Sequence, residues 1–417
     1  MTPDAPTPWY RAATAAQWKT LLAAQLGWML DAMDVMLYAF ALGTIQKEFD
    51  LSGAGAGALA SVTLITSAAG GIFFGWLADR IGRTRALIYS ILVYSVCTAF
   101  TATSRGIAEL VLWRSLVGIG LGGEWSAGSV LVSETWPAAH RGKAIGLMQS
   151  GWAIGYIAAA LLAAAILPVW GWRVLFAAGV LPALLTLWIR RHVPEPEVWR
   201  AAAPAGARDP RLGEALGEMF RPPLRRPTLA AVVMTTCVLF AYWGLFTWLP
   251  AFLAAPVDKG GAGLGIVKSS GWIVPMQIGA FFGYTLFGFL ADRFGRRPVF
   301  AAFLVAAAAL VPVYGQLARH ELALLVLGPF IGFFGHGYFS VFGAMLAELF
   351  PTRIRGTAQG MVYNAGRAVS ALAPFTIGAL ADAHGIGGAL ALTAAFFLAG
   401  AALMALLPET RGRELEG

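Results

Sequence analysis

The chain has 417 residues, a net charge of +8 and a pI near 9.7; 58% of its residues are hydrophobic and only 12% are charged. Soluble globular proteins carry roughly 25% charged residues, so this composition excludes a protein that covers its whole surface with water-facing charge. The apolar residues form runs near the length that crosses the ~30 Å hydrocarbon core of a bilayer, which predicts an all-α polytopic membrane protein.

Twelve membrane-spanning helices are predicted, six in each half of the chain. Those of the first half lie near 20–44, 55–77, 86–104, 107–132, 144–167 and 171–189. The next segment is polar and rich in proline and arginine, and we interpret it as a linker with a short surface helix near 212–220. The spans of the second half lie near 228–254, 270–291, 298–318, 322–346, 357–381 and 386–407. The predicted domains are therefore two six-helix bundles, at 1–189 and 228–417, joined by a cytoplasmic linker at 190–227.

Lysine and arginine residues are unevenly distributed between the predicted loops. If the N-terminus is inside, most of the 30 basic residues lie in inside segments, and the outside loops carry only Lys47, Arg105, Arg173, Lys259, Lys268 and Arg319. Because loops rich in Lys and Arg stay on the cytoplasmic side, both termini are predicted to be cytoplasmic, in a multi-pass protein of the cell membrane. The basic pI follows from this topology and requires no nucleic-acid partner.

Two charged motifs occur twice, about half the chain apart. The sequence GWLADRIGRTR at 75–85 returns as GFLADRFGRRP at 288–298, and ETWPAAHRGKAIG at 134–146 returns as ELFPTRIRGTAQG at 348–360. Two different motifs that recur at nearly one offset indicate a tandem of two related halves. Carboxylates beside arginines form charge-assisted pairs, so the motifs are either basic turns that fix topology or, the interpretation we favour, a cytoplasmic gate. The predicted gate residues are Asp79, Arg83, Glu134, Arg141, Asp292, Arg296, Glu348 and Arg355.

Charged residues inside the first-half spans are candidates for proton coupling, because an ionisable group in hydrocarbon is costly and therefore functional by default. Asp31 and Asp34 share one face of the first span. Their mutual repulsion favours a carboxyl group that takes up and releases a proton. Arg114 and Glu124 lie in the fourth span, and an aspartate of the first span is the expected partner of Arg114. The alternative is a structural ion pair that only fixes packing.

Polar residues inside the second-half spans are candidates for substrate binding. Arg367 has no obvious acidic neighbour in spans seven to twelve, and its planar guanidinium fits a carboxylate, which predicts an anionic substrate. Asn364 lies one turn earlier and is expected to face the same cavity. His336 is a candidate for titration near neutral pH or, alternatively, a hydrogen-bonded core histidine. Further candidates for the cavity wall are Tyr338, Gln149, Tyr242 and Gln277.

No motif in the sequence predicts an enzyme, a metal site or a cofactor. The GxGxxG spacing at 118–123 lies in mid-span, where small residues permit close helix packing; nucleotide binding requires this spacing after a strand. Cys97 and Cys237 form no metal-ligand pattern. We therefore expect the partners to be a small anionic substrate, a proton and the lipid bilayer.

The doubled motif at 75–85 and 288–298 resembles the signature loop of the major facilitator superfamily, and the resemblance covers essentially the whole chain. It implies twelve helices in two bundles, a central substrate cavity and alternating access. Residues 113–125 resemble the metabolite:proton symporters, and 169–199 is most similar to the sialate:proton symporter group, which also holds lactate and pyruvate permeases.

The resemblance extends to the intramembrane charges. Residues 30–34 (LDAMD) resemble the paired-aspartate motif of proton-coupled organic-acid carriers. In related sugar–proton carriers an aspartate of span one pairs with an arginine of span four, and the matching positions are Asp34 and Arg114.

These features predict a monomeric secondary active transporter that takes up a small organic anion together with a proton. Sialic acid permeases of the resembling group carry two extra central spans, where this chain has only the linker, which favours a smaller monocarboxylate such as lactate or pyruvate. Two alternatives remain open: an aromatic-acid or sialate:proton symporter, and a proton-driven exporter of drugs or aromatic compounds. A metabolite sensor without transport activity is disfavoured, because it is expected to carry a long cytoplasmic extension.

Overall fold

The computed structural model describes residues 9–50, 53–202, 211–254 and 256–415, where the chain forms sixteen α-helices. The first half contains α1 (Trp9–Ala12), α2 (Ala15–Phe49), α3 (Gly53–Ile81), α4 (Arg83–Thr101), α5 (Ile107–Thr135), α6 (Arg141–Ala177) and α7 (Pro182–His192). The linker contains α8 (Glu197–Ala202) and α9 (Leu212–Met219); α9 is the predicted short helix, and 203–210 lies outside the described residues. The second half contains α10 (Arg225–Ala254), α11 (Gly265–Phe294), α12 (Arg296–Gln316), α13 (Glu321–Gly337), α14 (Ser340–Leu349), α15 (Arg355–Ser370) and α16 (Ala373–Leu403).

The boundaries of several predicted spans differ from those of the observed helices: two spans can lie in one helix, and one span can be divided between two helices. In α6 the chain bends at Gly171, which has a φ of 71° and lies at the start of predicted span six. In α16 the corresponding bend is at Gly385, with a φ of 72°, just before predicted span twelve. Glycine adopts these left-handed angles without steric cost, so a helix changes direction there without an intervening loop. Predicted span ten is divided between α13 and α14 at Tyr338 and Phe339.

Ten stretches of the described residues are long and apolar enough to cross a membrane. Predicted spans four and eleven, at 107–132 and 357–381, are not among them, so the count of twelve stays a prediction. These two segments correspond largely to α5 and α15, which carry the candidate site residues Arg114, Glu124 and Arg367. Both helices are largely buried within the protein, and a helix that does not face lipid need not be apolar on all sides.

The halves pack within themselves and against each other. In the first half α3 packs on α5 and α2 on α6; in the second, α11 packs on α13 and α10 on α16. The two halves meet where α3 packs on α15 and α6 on α11. A Cβ atom at Gly75 would lie 2.4 Å from the carbonyl oxygen of Gly356, and one at Gly288 would lie 2.2 Å from that of Gly142. Only glycine permits so close an approach, so the repeated motifs form the seam between the halves.

Candidate functional site

The first half of the predicted gate is centred on Asp79, at the end of α3. Its carboxylate accepts hydrogen bonds from the backbone N–H groups of Gly356 (2.9 Å) and Thr357 (2.7 Å) and from the Thr357 hydroxyl (2.7 Å). Because α15 begins at Arg355, the carboxylate lies at a helix N-terminus, where the exposed N–H groups and the helix dipole favour an anion. Arg83 binds the same carboxylate at 2.7 Å.

The second half of the gate repeats this arrangement with the roles of the two halves exchanged. Asp292, at the end of α11, accepts hydrogen bonds from the N–H groups of Gly142 (3.2 Å) and Lys143 (3.0 Å), at the N-terminus of α6. Arg296 donates to Asp292 as Arg83 does to Asp79. Each half therefore places an aspartate on a helix N-terminus of the other half.

Two buried glutamates complete the contact. Glu134 accepts hydrogen bonds from Arg83 (Nη2, 2.9 Å) and from Arg355 (2.6 Å). Glu348 accepts from Arg141 (2.8 Å) and, within its own half, from Arg296 (3.2 Å). Each glutamate thus binds one arginine from each half. Removing one partner of a buried pair costs about 3–5 kcal/mol, so these eight residues, here called the gate network, form a strong ionic contact between the two halves.

Two glutamates that the sequence analysis missed support the gate network from outside. Glu195, after α7, accepts hydrogen bonds from the N–H groups of Thr84 (3.1 Å) and Arg85 (3.2 Å). Glu409, after α16, accepts from those of Arg296 (2.9 Å) and Arg297 (3.0 Å). Both follow a proline, and the Pro-Glu pairs 194–195 and 408–409 recur at the half-chain offset of the other motifs. That repeat was the available signal.

Glu409 differs from an ordinary surface glutamate in its acidity. Partial burial of its carboxyl group favours the neutral form, but the backbone N–H groups of Arg296, Arg297, Arg411 and Thr410 outweigh it and lower the pKa of Glu409. The next residue, Thr410, donates its hydroxyl hydrogen to Glu348 at 2.6 Å. The C-terminal segment therefore contacts the gate network directly.

The predicted pair of Asp34 and Arg114 is present in the interior of the first half. Nη1 of Arg114 lies 3.4 Å from Oδ2 of Asp34, and the Thr98 hydroxyl donates to Oδ1 at 2.6 Å. The guanidinium of Arg114 also lies over the Tyr38 ring, 4.7 Å from its centroid. Both members of the pair are buried, so each compensates the buried charge of the other.

Asp31 and Glu124 lie near this pair, but their carboxyl groups form no hydrogen bond with it. Both side chains are fully buried, and none of their four oxygens has a hydrogen-bond partner among the described residues. Asp31 is within electrostatic range of Asp34 and, across the halves, of Arg367. The first half therefore supplies an acidic neighbour of Arg367.

A small central cavity lies between the halves; its free space in this closed state is about 10 Å³, close to that of one water molecule. Its wall is aromatic with one cation; the lining residues are Trp28, Gln149, Trp152, Tyr242, Trp243, Tyr284, Phe339, Tyr363 and Arg367. Sequence reasoning did not identify Trp28, Trp152, Tyr284 and Phe339 as lining residues, because an aromatic residue in an apolar helix gives no sign of which way it faces.

Arg367 is the cationic group of the cavity. Its Nε and Nη1 atoms are buried without a hydrogen-bond partner among the described residues, and its guanidinium lies 5.9 Å from the centroid of Trp243. Gln149 accepts a hydrogen bond from Trp125 and donates to the carbonyl oxygen of Phe339. Tyr363 stacks on Trp125 with the ring centroids 3.9 Å apart. Two nitrogens of Arg367 are therefore left without a partner beside the aromatic side chains that line the cavity.

The remaining candidates for substrate binding lie elsewhere. The amide of Asn364 bonds to the carbonyl oxygen of Gly360 and packs against Gly71 at the seam, because that glycine leaves room for it. Tyr338 packs its ring against Phe300 and Phe397 within the second half. Gln277 is buried and is not among the residues that line the cavity.

His336 lies directly behind the cavity wall. Its ring packs against Tyr242, Phe246 and Tyr284, and its Nδ1 atom lies 3.1 Å from the carbonyl oxygen of Gly332. This environment matches the alternative of a hydrogen-bonded core histidine. No group of His, Cys, Asp and Glu side chains suited to a metal ion occurs in the described parts of the chain.

Comparisons with known proteins agree with this arrangement. The model of the Major Facilitator Superfamily matches residues 26–258 and 262–416. A putative metabolite transport protein of Haemophilus influenzae is 36% identical over 96% of this chain and 98% of its own length. A probable 4-methylmuconolactone transporter of Cupriavidus pinatubonensis is 34% identical (98% and 94% covered), and a cis,cis-muconate transport protein of Acinetobacter baylyi is 35% identical (92% of each).

A solved structure has the same fold. The proton:xylose symporter XylE, bound to 6-bromo-6-deoxy-D-glucose, superposes with a TM-score of 0.76 over 96% of this chain and 98% of that one. The two sequences are 20% identical, so this similarity concerns the fold alone.

Proposed function

The chain belongs to the major facilitator superfamily and is a membrane transporter rather than an enzyme; we propose that it is a proton-coupled symporter that takes up a flat, unsaturated or aromatic carboxylate. The observation that carries this proposal is the aromatic cavity wall that holds Arg367, whose Nε and Nη1 atoms have no hydrogen-bond partner among the described residues. We further propose that it acts as a monomer in the cell membrane, with both termini and the gate network on the cytoplasmic side.

Arg367 supplies the site for the carboxylate. A buried guanidinium without partners is costly, and a carboxylate satisfies two of its N–H groups at once in a planar fork. Asp31 lies within electrostatic range of the same guanidinium, so it stabilises Arg367 while the cavity is empty. Substrate and Asp31 then compete for one cation, and a proton on Asp31 favours the substrate.

The aromatic wall supplies the preference for a flat ligand. Rings bind other π systems in stacked or edge-on arrangements that contribute about 0.5–1.5 kcal/mol beyond the buried area. The ring centroids of Trp28 and Trp152 are 4.8 Å apart and the two rings are tilted, and the Trp243 ring lies beside the guanidinium of Arg367. A short aliphatic acid such as lactate gains little from these surfaces. The proteins named for 4-methylmuconolactone and cis,cis-muconate transport support the unsaturated class, and no relative reported above is named for lactate or pyruvate.

The cycle follows from the charges. Asp34, helped by Asp31, takes up a proton from the outside and weakens its pair with Arg114. The carboxylate binds Arg367, and the halves then rock so that the gate network breaks and substrate and proton leave inward. A ligand drives such a change only by binding the two states with different affinity, which the competition at Arg367 provides.

The test is uptake into proteoliposomes under an inside-alkaline pH gradient. We expect uphill accumulation of cis,cis-muconate or benzoate, and weak uptake of lactate; net efflux under the same gradient would instead favour the exporter. Arg367→Ala should raise the apparent KM for these acids, because the carboxylate loses the one cation among the described residues of the cavity wall. Arg319→Ala, at an exposed loop position, is the matched control. An unchanged KM in Arg367→Ala would remove Arg367 from the binding site.

A further inference from the structure

Glu124 is a buried acid that the cycle above does not use. It lies on α5, is fully buried, and neither of its oxygens has a hydrogen-bond partner in the described parts of the chain. Arg114 is on the same helix but ten residues away, about 15 Å along the axis at 1.5 Å per residue. No cation among the described residues therefore balances a negative charge on Glu124 in this state.

The groups that face Glu124 come from α2 and α4. On α2, a Cβ atom at Gly27 would lie 2.3 Å from Oε1 of Glu124, so the carboxyl group lies against the α2 backbone one turn before Asp31. Asp31 interacts electrostatically with Glu124, and Tyr94 on α4 does so with Glu124, Asp31 and Asp34. The Tyr94 hydroxyl is buried without a hydrogen-bond partner among the described residues.

These acids form a line along the interior of the first half. From Asp34 to Gly27 the first span descends about 10 Å at 1.5 Å per residue, in the order Asp34, Asp31, Glu124, towards the end that carries the gate network. Tyr94 interacts electrostatically with all three acids. Neither Glu124 nor Tyr94 lines the central cavity, so this line of polar groups is separate from the surfaces that the substrate touches.

We propose that Glu124 is the group through which the coupled proton leaves Asp31 for the cytoplasm, and that Tyr94 is a positioning residue for this transfer. The proposal rests on the proposed function, because it assigns the inward release of the symported proton. The sequence alone raised Glu124 as one of four coupling candidates and gave it no separate role.

The protonation of Glu124 follows from its surroundings. With the gate network closed, an ionised Glu124 would be a buried charge without compensation and close to Asp31, so it carries a proton in this state. When the gate network opens, water reaches the carboxyl group and its proton is released. The O–H bond of Asp31 then breaks and a new O–H bond forms on Glu124, while the Tyr94 hydroxyl donates a hydrogen bond to whichever carboxylate is charged. Ionised Asp31 pairs with Arg367, and the empty carrier closes with Glu124 protonated again.

The decisive variant is Glu124→Gln, which matches the neutral acid in shape and charge. We expect it to keep the wild-type thermal unfolding temperature and substrate counterflow, because every closed state already holds a neutral group there. Uphill accumulation should be lost, because Asp31 has no route for its proton. Glu109→Gln, on the exposed first turn of the same helix, is the matched control and should accumulate substrate like the wild type.

Tyr94→Phe provides the second test and retains the ring. We expect the pH dependence of net uptake to shift while counterflow is unchanged; Tyr89→Phe, half-exposed on the same helix, should leave both unchanged. Wild-type accumulation in Glu124→Gln would overturn this proposal and leave the symport intact, and so would an unshifted pH profile in Tyr94→Phe. Absence of proton-driven uptake in the wild type would instead refute the proposed function.

Discussion

Replacing Asp79 by asparagine should open the gate network. In the closed state Asp79 accepts three hydrogen bonds from the other half, from the Gly356 and Thr357 N–H groups and the Thr357 hydroxyl, and one from Arg83. Asparagine keeps one acceptor oxygen, but its NH₂ group replaces the other oxygen and faces groups that can only donate. A hydrogen bond to a charged group contributes about 1.5–3 kcal/mol, so losing two of the crossing bonds costs at least about 3 kcal/mol.

The lost hydrogen bonds destabilise the closed state alone, because the partners of Asp79 in the other half move away from it when the gate opens. At 1.4 kcal/mol per tenfold change, about 3 kcal/mol shifts the closed–open equilibrium roughly a hundredfold towards the open state. Ser129 reports this shift, since it is buried and donates a hydrogen bond to Gln359 across the halves. Ser129→Cys, with Cys97 and Cys237 replaced by alanine, gives a single thiol behind the gate.

The assay is the rate at which a membrane-impermeant maleimide labels this thiol in inside-out vesicles. Asp79→Asn should raise the rate by up to about a hundredfold, and Asp292→Asn should act in the same direction through Gly142 and Lys143. Asp258→Asn, at an exposed position in a short 3-10 helix (Val257–Lys259), is the control. Labelling that is unchanged or slower in Asp79→Asn would refute the assignment of this contact as a closing contact.

Two further outcomes are expected. Asp34→Asn should abolish uphill uptake in proteoliposomes and spare substrate exchange, because the amide cannot carry the proton; accumulation against a gradient in this variant would contradict the assignment. Glu409→Gln should lower the thermal unfolding temperature at neutral pH, because the folded state holds the ionised carboxylate with four N–H donors. Because the pKa of Glu409 is lower in the folded state, its ionised carboxylate stabilises the folded protein at pH values above the unfolded pKa, near 4.3 for glutamate. The difference in unfolding temperature between the wild type and Glu409→Gln should therefore disappear as the pH falls below this value. A difference that does not depend on pH would exclude the charge of Glu409 as its cause.

The gate network was the part of the site most accessible from sequence. Asp79 and Asp292 stand in a repeated motif, and a repeat reports a shared geometry even when neither copy alone does. The pair of Asp34 and Arg114 was accessible through resemblance and through the cost of an unpaired buried charge. The Pro-Glu pair at 408–409 also repeats a pair of the first half. Two residues are too short to be recognised as a repeat unless the longer motifs first give the offset.

The cavity wall was less accessible for a physical reason. Trp28 and Trp152 lie in helices that are apolar on most sides, so periodicity does not separate a face towards lipid from a face towards the cavity. Asn364 shows the converse limit. Its spacing from Arg367 places both on one side of α15, yet the absence of a side chain at Gly71 on another helix draws the amide to the seam. Whether a glycine on one helix leaves room for a side chain on another depends on tertiary contacts, which a single sequence does not reveal.

The charges of the interior set the number of protons in the proposed cycle. Between the cavity and the first-half interior, the described residues include three carboxyl groups, Asp31, Asp34 and Glu124, and two arginines, Arg114 and Arg367. With Glu124 protonated, the empty closed carrier has two carboxylates against two guanidinium groups and is neutral. A bound monocarboxylate adds one negative charge, and one proton on Asp31 or Asp34 restores neutrality. Because uncompensated charge in a buried site is costly, both neutral states favour closure, whereas substrate without a proton or a proton without substrate does not. For a monocarboxylate such as benzoate, one-to-one coupling then follows from electrostatics, with Glu124 as the exit for the proton; a dicarboxylate such as cis,cis-muconate requires a second proton.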